Sequence, residues 1–156
     1  MEEKLKHTES TLKDVIETLH DSHKGFADIG EHLKDTSAKR FFLEESLTRQ
    51  QFAGELEAEL VRLGDKDASG EGKIGGTTAG AMHRTWGDIK AKLGGGDHTL
   101  LETAEAGEDV AKKAYEKALE EKHLPLDIQE ILRRQQSHVI ASHDKVKALR
   151  DSKKAA

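Results

Sequence analysis

KLKHTESTLKDVIETLHDSHKGFADIGEHLKD, residues 4–35, decides the fold class. Leu5, Leu12, Leu19, Phe26 and Leu33 recur every seven residues, and Val15, Ile16 and Ile29 fill the three- and four-residue steps between them. An apolar line of that period lies on one face of an α-helix and on no single face of a strand, so the stretch reads as one long amphipathic helix over about 3–35. Asp35-Thr36-Ser37 breaks the pattern and offers side-chain oxygens to cap a following helix.

The same reading extends along the chain. A second helix is predicted over 38–63, with Phe42, Glu45, Arg49, Phe52, Ala53, Leu56, Leu60 and Leu63 on its inner stripe and Gly64 as its left-handed terminator. Residues 64–77, rich in Gly, Asp, Lys and Ser, read as a loop. Ala79, Met82, Trp86, Ile89 and Leu93 predict a short helix over 78–93, stopped by Gly94-Gly95-Gly96. A third long helix is expected over 97–121, N-capped by Asp97 and lined by Leu101, Ala104, Ala111, Tyr115 and Leu119. His123-Leu124-Pro125 turns the chain into a fourth, over 126–151, carrying Ile128, Leu132, Val139, Val146 and Leu149.

Composition agrees. Of 156 residues 35% are apolar, 35% charged and only 4% aromatic, with a single proline, which suits helices with narrow apolar stripes rather than a β-sandwich. The chain is long enough for one domain with a real core, read as spanning 1–156. A formal charge of −5 with both signs interspersed gives no basic track for nucleic acid. The absence of cysteine excludes disulfides and thiolate ligands. With neither an 18-residue apolar run nor a signal-peptide core at Met1-Glu2-Glu3, a cytoplasmic protein without a membrane partner is the expectation.

Short turns make the first two long helices antiparallel, and likewise the last two. The middle connection, about 33 residues with a helix of about 22 Å, can run the length of helices about 40 Å long. That favours the one-crossover, ferritin-like four-helix bundle, in which the second and third long helices are parallel, over an up-down-up-down order.

Polar residues on the predicted inner faces are the candidate site. His23, Glu45, Arg49, Glu105, Glu108 and His143 fall in one broad layer of the ferritin-like order, with Gln135 and Ser142 also pointing inward. Carboxylates and imidazoles in such a layer could hold a di-metal centre of iron or manganese, through Glu45, Glu105, Glu108 and His143, with Tyr115 as a redox-active phenol. The alternative is an ion-pair network, since Glu45 and Arg49 stand four apart on one face and a fixed cation repels a metal. The di-iron pattern wants Glu-x-x-His on two helices. Here it occurs only at Glu17-x-x-His20, projected outward, and Glu120-x-x-His123, in a turn; Gln135-x-x-His138 carries an amide instead.

Other features read blandly. Gly70-Glu71-Gly72-Lys73-Ile74-Gly75-Gly76-Thr77 lacks the early glycine and the Ser/Thr of a phosphate-binding loop, so it is a linker. Most of the nine histidines sit on outward or terminal positions. In His83-Arg84-x-Trp86 the indole is expected to anchor the crossover, with His83 or Arg84 holding a carboxylate beneath.

The chain resembles a bacterial family of ferritin-like bundles that constitute a domain of unknown function. The resemblance is carried by Asp21, Lys24-Gly25-Phe26 and Glu31, by Arg49, Phe52-Ala53 and Glu55-Leu56, and by Ala79-Gly80, His83-Arg84, Trp86, Asp88, Lys90 and Leu93. It continues through Glu105, Gly107-Glu108-Asp109, Tyr115 and Ala118-Leu119, then Leu124-Pro125, Gln136, His143-Asp144, Val146-Lys147 and Leu149-Arg150-Asp151. It implies a helical bundle and adds Glu31 and Glu55 as secondary ligand positions beside His23. The functional expectation is a stress-type binding protein enclosing a polar layer. A metal-dependent redox enzyme and a metal-free module that self-associates into homo-oligomers are the alternatives.

Overall fold

The computed structural model describes residues 2–64, 77–87 and 89–154, and these are helical apart from short turns. The helices are α1 (Glu2–His32), α2 (Thr36–Arg62), α3 (Thr77–Gly87), α4 (Ile89–Lys92), α5 (Asp97–Leu119) and α6 (Leu126–Lys154). The predicted 64–77 loop, apart from Gly64 and Thr77, and with it most of the glycine-rich stretch 70–77, lies outside the described residues. No helix among the described residues is long and apolar enough to cross a membrane.

The heptad of α1 builds the core as expected, with Leu12, Leu19 and Phe26 fully buried. Leu5, at the free end of the longer helix, stays 37% exposed. Asp35 caps α2 by accepting the Ala38 N–H at 2.7 Å, and Gly64 at φ 90° ends the turn beyond it. That N–H, with Lys153 beside it, holds the Asp35 carboxyl below the usual range. Asp97 does not cap α5: it is the first helical residue, after Gly96. Its carboxylate instead accepts the backbone N–H groups of Lys34 and Asp35, each at 2.9 Å, and so closes the α1–α2 turn from across the fold.

These contacts fix the helix directions. The end of α1 and the start of α5 meet at Asp97, and Lys153 of α6 reaches Asp35 at 3.0 Å at the same end. At the opposite end Arg62 of α2 lies 3.4 Å from Asp127 of α6. The four long helices form a ring in the order α1–α2–α6–α5, every neighbour antiparallel, with α2 and α5 parallel across it. The crossover elements α3 and α4 lie against α1 and α5.

Trp86 seats α3. Its ring fills a slot with two glycine walls: a Cβ on Gly25 of α1 would stand 2.4 Å from the indole, and one on Gly107 of α5 2.3 Å. Phe26 packs beside it at 6.1 Å between ring centroids. His83 stands 3.8 Å from Asp21, close enough for charge attraction and too far for a hydrogen bond. Burial lifts the Asp21 carboxyl above its usual range, against the pull of His83 and Lys24.

Candidate functional site

All four long helices contribute to one ionic centre. Arg49 of α2 has no exposed surface. Its Nε donates to Glu45 at 2.9 Å on its own helix, one turn back. Nη1 donates to Ser22 of α1 at 2.8 Å, and Nη2 to Glu108 of α5 at 2.8 Å and to Ser142 of α6 at 3.1 Å. Ser142 passes its own hydrogen to Glu108 at 2.6 Å, and the guanidinium lies 4.7 Å from the centroid of the Phe26 ring. Burial alone would lower the pKa of Arg49, but Glu108 and Glu45 outweigh it and hold the group more firmly charged than usual. His138 closes the outer side, with Nε2 at 2.9 and 3.0 Å from the two oxygens of Glu45.

Such an arrangement answers the problem of a buried charge. An unpaired guanidinium or carboxylate here would cost several kcal/mol. With two carboxylates and two hydroxyls around it, each guanidinium nitrogen has a partner. The two carboxylates predicted as metal ligands on the central layer, Glu45 and Glu108, both face Arg49, and the cation fills the space between them.

The remaining predicted ligands gather elsewhere. Glu105 and His143 come together at the α5–α6 edge with Asp109, and donor atoms of the three lie within 4.8 Å of one another. His143 Nε2 is 2.8 Å from Asp109 and its Nδ1 3.1 Å from Asp144, so a carboxylate engages each ring nitrogen. Glu105 also pairs with Arg150, which keeps a second carboxylate, Asp151, at 2.8 Å. His143 and Glu105 are largely buried, whereas Asp109 is 56% exposed, so the group opens to solvent on one side.

The secondary positions join neither group. His23 Nδ1 donates to the Ser46 carbonyl at 2.8 Å and ties α1 to α2. Glu55 pairs with Arg134 and accepts from Gln135, and Glu31 is exposed. Tyr115 donates to Gln135 at 2.8 Å, and burial raises its phenol far above its usual value, which keeps it protonated. Sequence reasoning names Asp109 only among the residues of the family resemblance and does not count it as a ligand. The signal was its place one turn after Glu105, the spacing at which two carboxylates share a helix face. Ser22 carried no comparable sign.

A comparison with curated proteins finds no match to the chain. The profile of a family described as a domain of unknown function (DUF2383) matches residues 7–121, which takes in most of α1 and the chain through α5 and leaves Ser142 and His143 beyond its end. With most of its length matched, the chain belongs to the DUF2383 family of domains of unknown function.

Proposed function

We propose that the protein is a ferritin-like four-helix bundle that works as a binding protein for a single divalent metal ion, held at Glu105, Asp109 and His143. The single crossover, with α2 and α5 parallel, supports the ferritin-like reading. One observation carries the metal reading: two carboxylates and an imidazole from two helices converge within 4.8 Å of one another. Donors on a metal with bonds of about 2.1 Å stand about 3–4 Å apart, so side-chain rotation suffices to gather them. Asp144 on Nδ1 orients the His143 ring, the outer support that metal-bound histidines usually have, and Nε2, which faces Asp109 at 2.8 Å, is the nitrogen that an ion inserted between them would take.

The central layer does not fit a di-metal centre. Glu45 and Glu108 are spanned by a guanidinium that would have to leave before a cation could enter, stranding buried charge as it went. A second reading, a metal-free scaffold, is favoured by Arg150, which already supplies Glu105 with a cation.

Calorimetric titration of the metal-stripped protein with Zn(II) and Mn(II) separates the two. One ion per chain, lost in His143→Ala and strengthened in Arg150→Gln, is the expected result. Absence of binding in both the native chain and Arg150→Gln would leave the scaffold reading.

A further inference from the structure

A cleft of about 350 Å³ lies between the crossover and the first turns of α5. Arg84 and Thr85 of α3 and Lys92 of α4 form one wall; Thr99, Glu102 and Thr103 of α5 form the other. Neither Arg84 nor Lys92 is ion-paired with a described residue. Glu102, the one acid in the lining, is engaged by His98 at 3.2 Å on its own helix. Two cations without an ion pair among the described residues, facing one carboxylate already engaged by His98, give the cleft a positive field.

The threonines add a second kind of chemistry. The Thr85 and Thr103 hydroxyls donate to carbonyls of their own helices, Ala81 at 2.9 Å and Thr99 at 3.0 Å. Their oxygens therefore present lone pairs, which accept hydrogens from a ligand and would not attract a bare anion. The Thr99 hydroxyl has no partner among the described residues and is free to donate.

We propose that this cleft binds a small hydroxylated anion of the sugar-phosphate class, with Arg84 and Lys92 on the phosphate and Thr85 and Thr103 accepting from the hydroxyls. The volume falls in the range of small-molecule sites. Arg84 suits a bidentate contact to phosphate, and Lys92 supplies a point charge. The site is separate from Glu105–Asp109–His143 and does not depend on a metal.

Trp86, the sole tryptophan, follows Arg84 and Thr85 on α3 and gives a built-in signal. Its fluorescence is titrated in the full chain with ribose 5-phosphate, ribose and inorganic phosphate, in the presence of a chelator so that metal chemistry plays no part. Saturable binding of ribose 5-phosphate is expected, at least tenfold tighter than either fragment. It should weaken at least tenfold in Arg84→Gln and in Lys92→Gln, both exposed positions, and severalfold in Thr99→Val. Calorimetry repeats the titration without relying on the indole. No binding by either method, affinity equal to inorganic phosphate, or affinity unchanged in Arg84→Gln and Lys92→Gln would overturn the proposal.

Discussion

The centre and the α5–α6 edge of this bundle use the same chemistry to opposite ends. In the centre Arg49 lies between Glu45 and Glu108 with nothing exposed. At the edge Arg150 meets Glu105 while Asp109 remains 56% exposed beside His143. Where water is excluded, each charged group has to find its counter-charge within the protein, and the result is a set with one geometry. Where water can substitute, partners are exchangeable, and such a site can take up an ion without dismantling the fold. Burial, more than residue type, decides which carboxylates hold structure and which remain available.

The sharpest way to break this contrast is at the centre. Arg49→Met should destabilise the protein by about 3–5 kcal/mol in urea unfolding, because two carboxylates are left buried without their cation. Glu108→Ala should cost a similar amount and leave metal content unchanged. Replacing Glu45, Arg49 and Glu108 together with apolar residues of similar volume should recover most of the loss. If Arg49→Met is as stable as the native chain, the centre is not the closed network described.

Next in size is the crossover slot. Gly107→Ala brings a methyl group onto the indole and should cost about 1–3 kcal/mol through overpacking, with red-shifted Trp86 emission as the ring is displaced. Combining it with Trp86→Leu should relieve part of the cost. At the edge, Asp144→Asn should lower metal affinity about 10–100-fold while the melting temperature barely moves. A large drop in stability would make Asp144 part of the structural set.

The smallest effect concerns Tyr115, the sole tyrosine. Burial favours its neutral form, so folding gains from it below the ordinary phenol value of 10.0 and loses that gain as pH rises through the higher folded value. Absorbance at the phenolate band should therefore stay flat past 10.0 and change only with unfolding.

Helix identity was legible because the apolar period and Gly64 are local signals. So was the Glu45–Arg49 pair, since residues four apart on a helix meet whatever surrounds them. The inward polar residues Gln135 and Ser142 were likewise readable from the α6 stripe, and both are buried. Partners across helices were not legible. Nothing local tells that Glu108 belongs with Arg49 while Glu105, three residues earlier, turns toward His143 and Arg150. Asp97 reads as a cap for its own helix, and only the approach of α1 to α5 shows that it serves another turn. Gly25 and Gly107 carry no local sign of a role beyond their place in the family resemblance. Their purpose emerges only when the indole of a distant segment lies between them.

That indole also bears on how the chain reaches its native form. The slot has one wall on α1 and the other on α5, so it does not exist until segments far apart in sequence have come together. Docking of the crossover is consequently a late event, and its rate should be set by assembly of the long helices rather than by formation of α3. In reverse, α3 should be the first helix to exchange its amide hydrogens, opening as a unit while α1, α2, α5 and α6 stay protected.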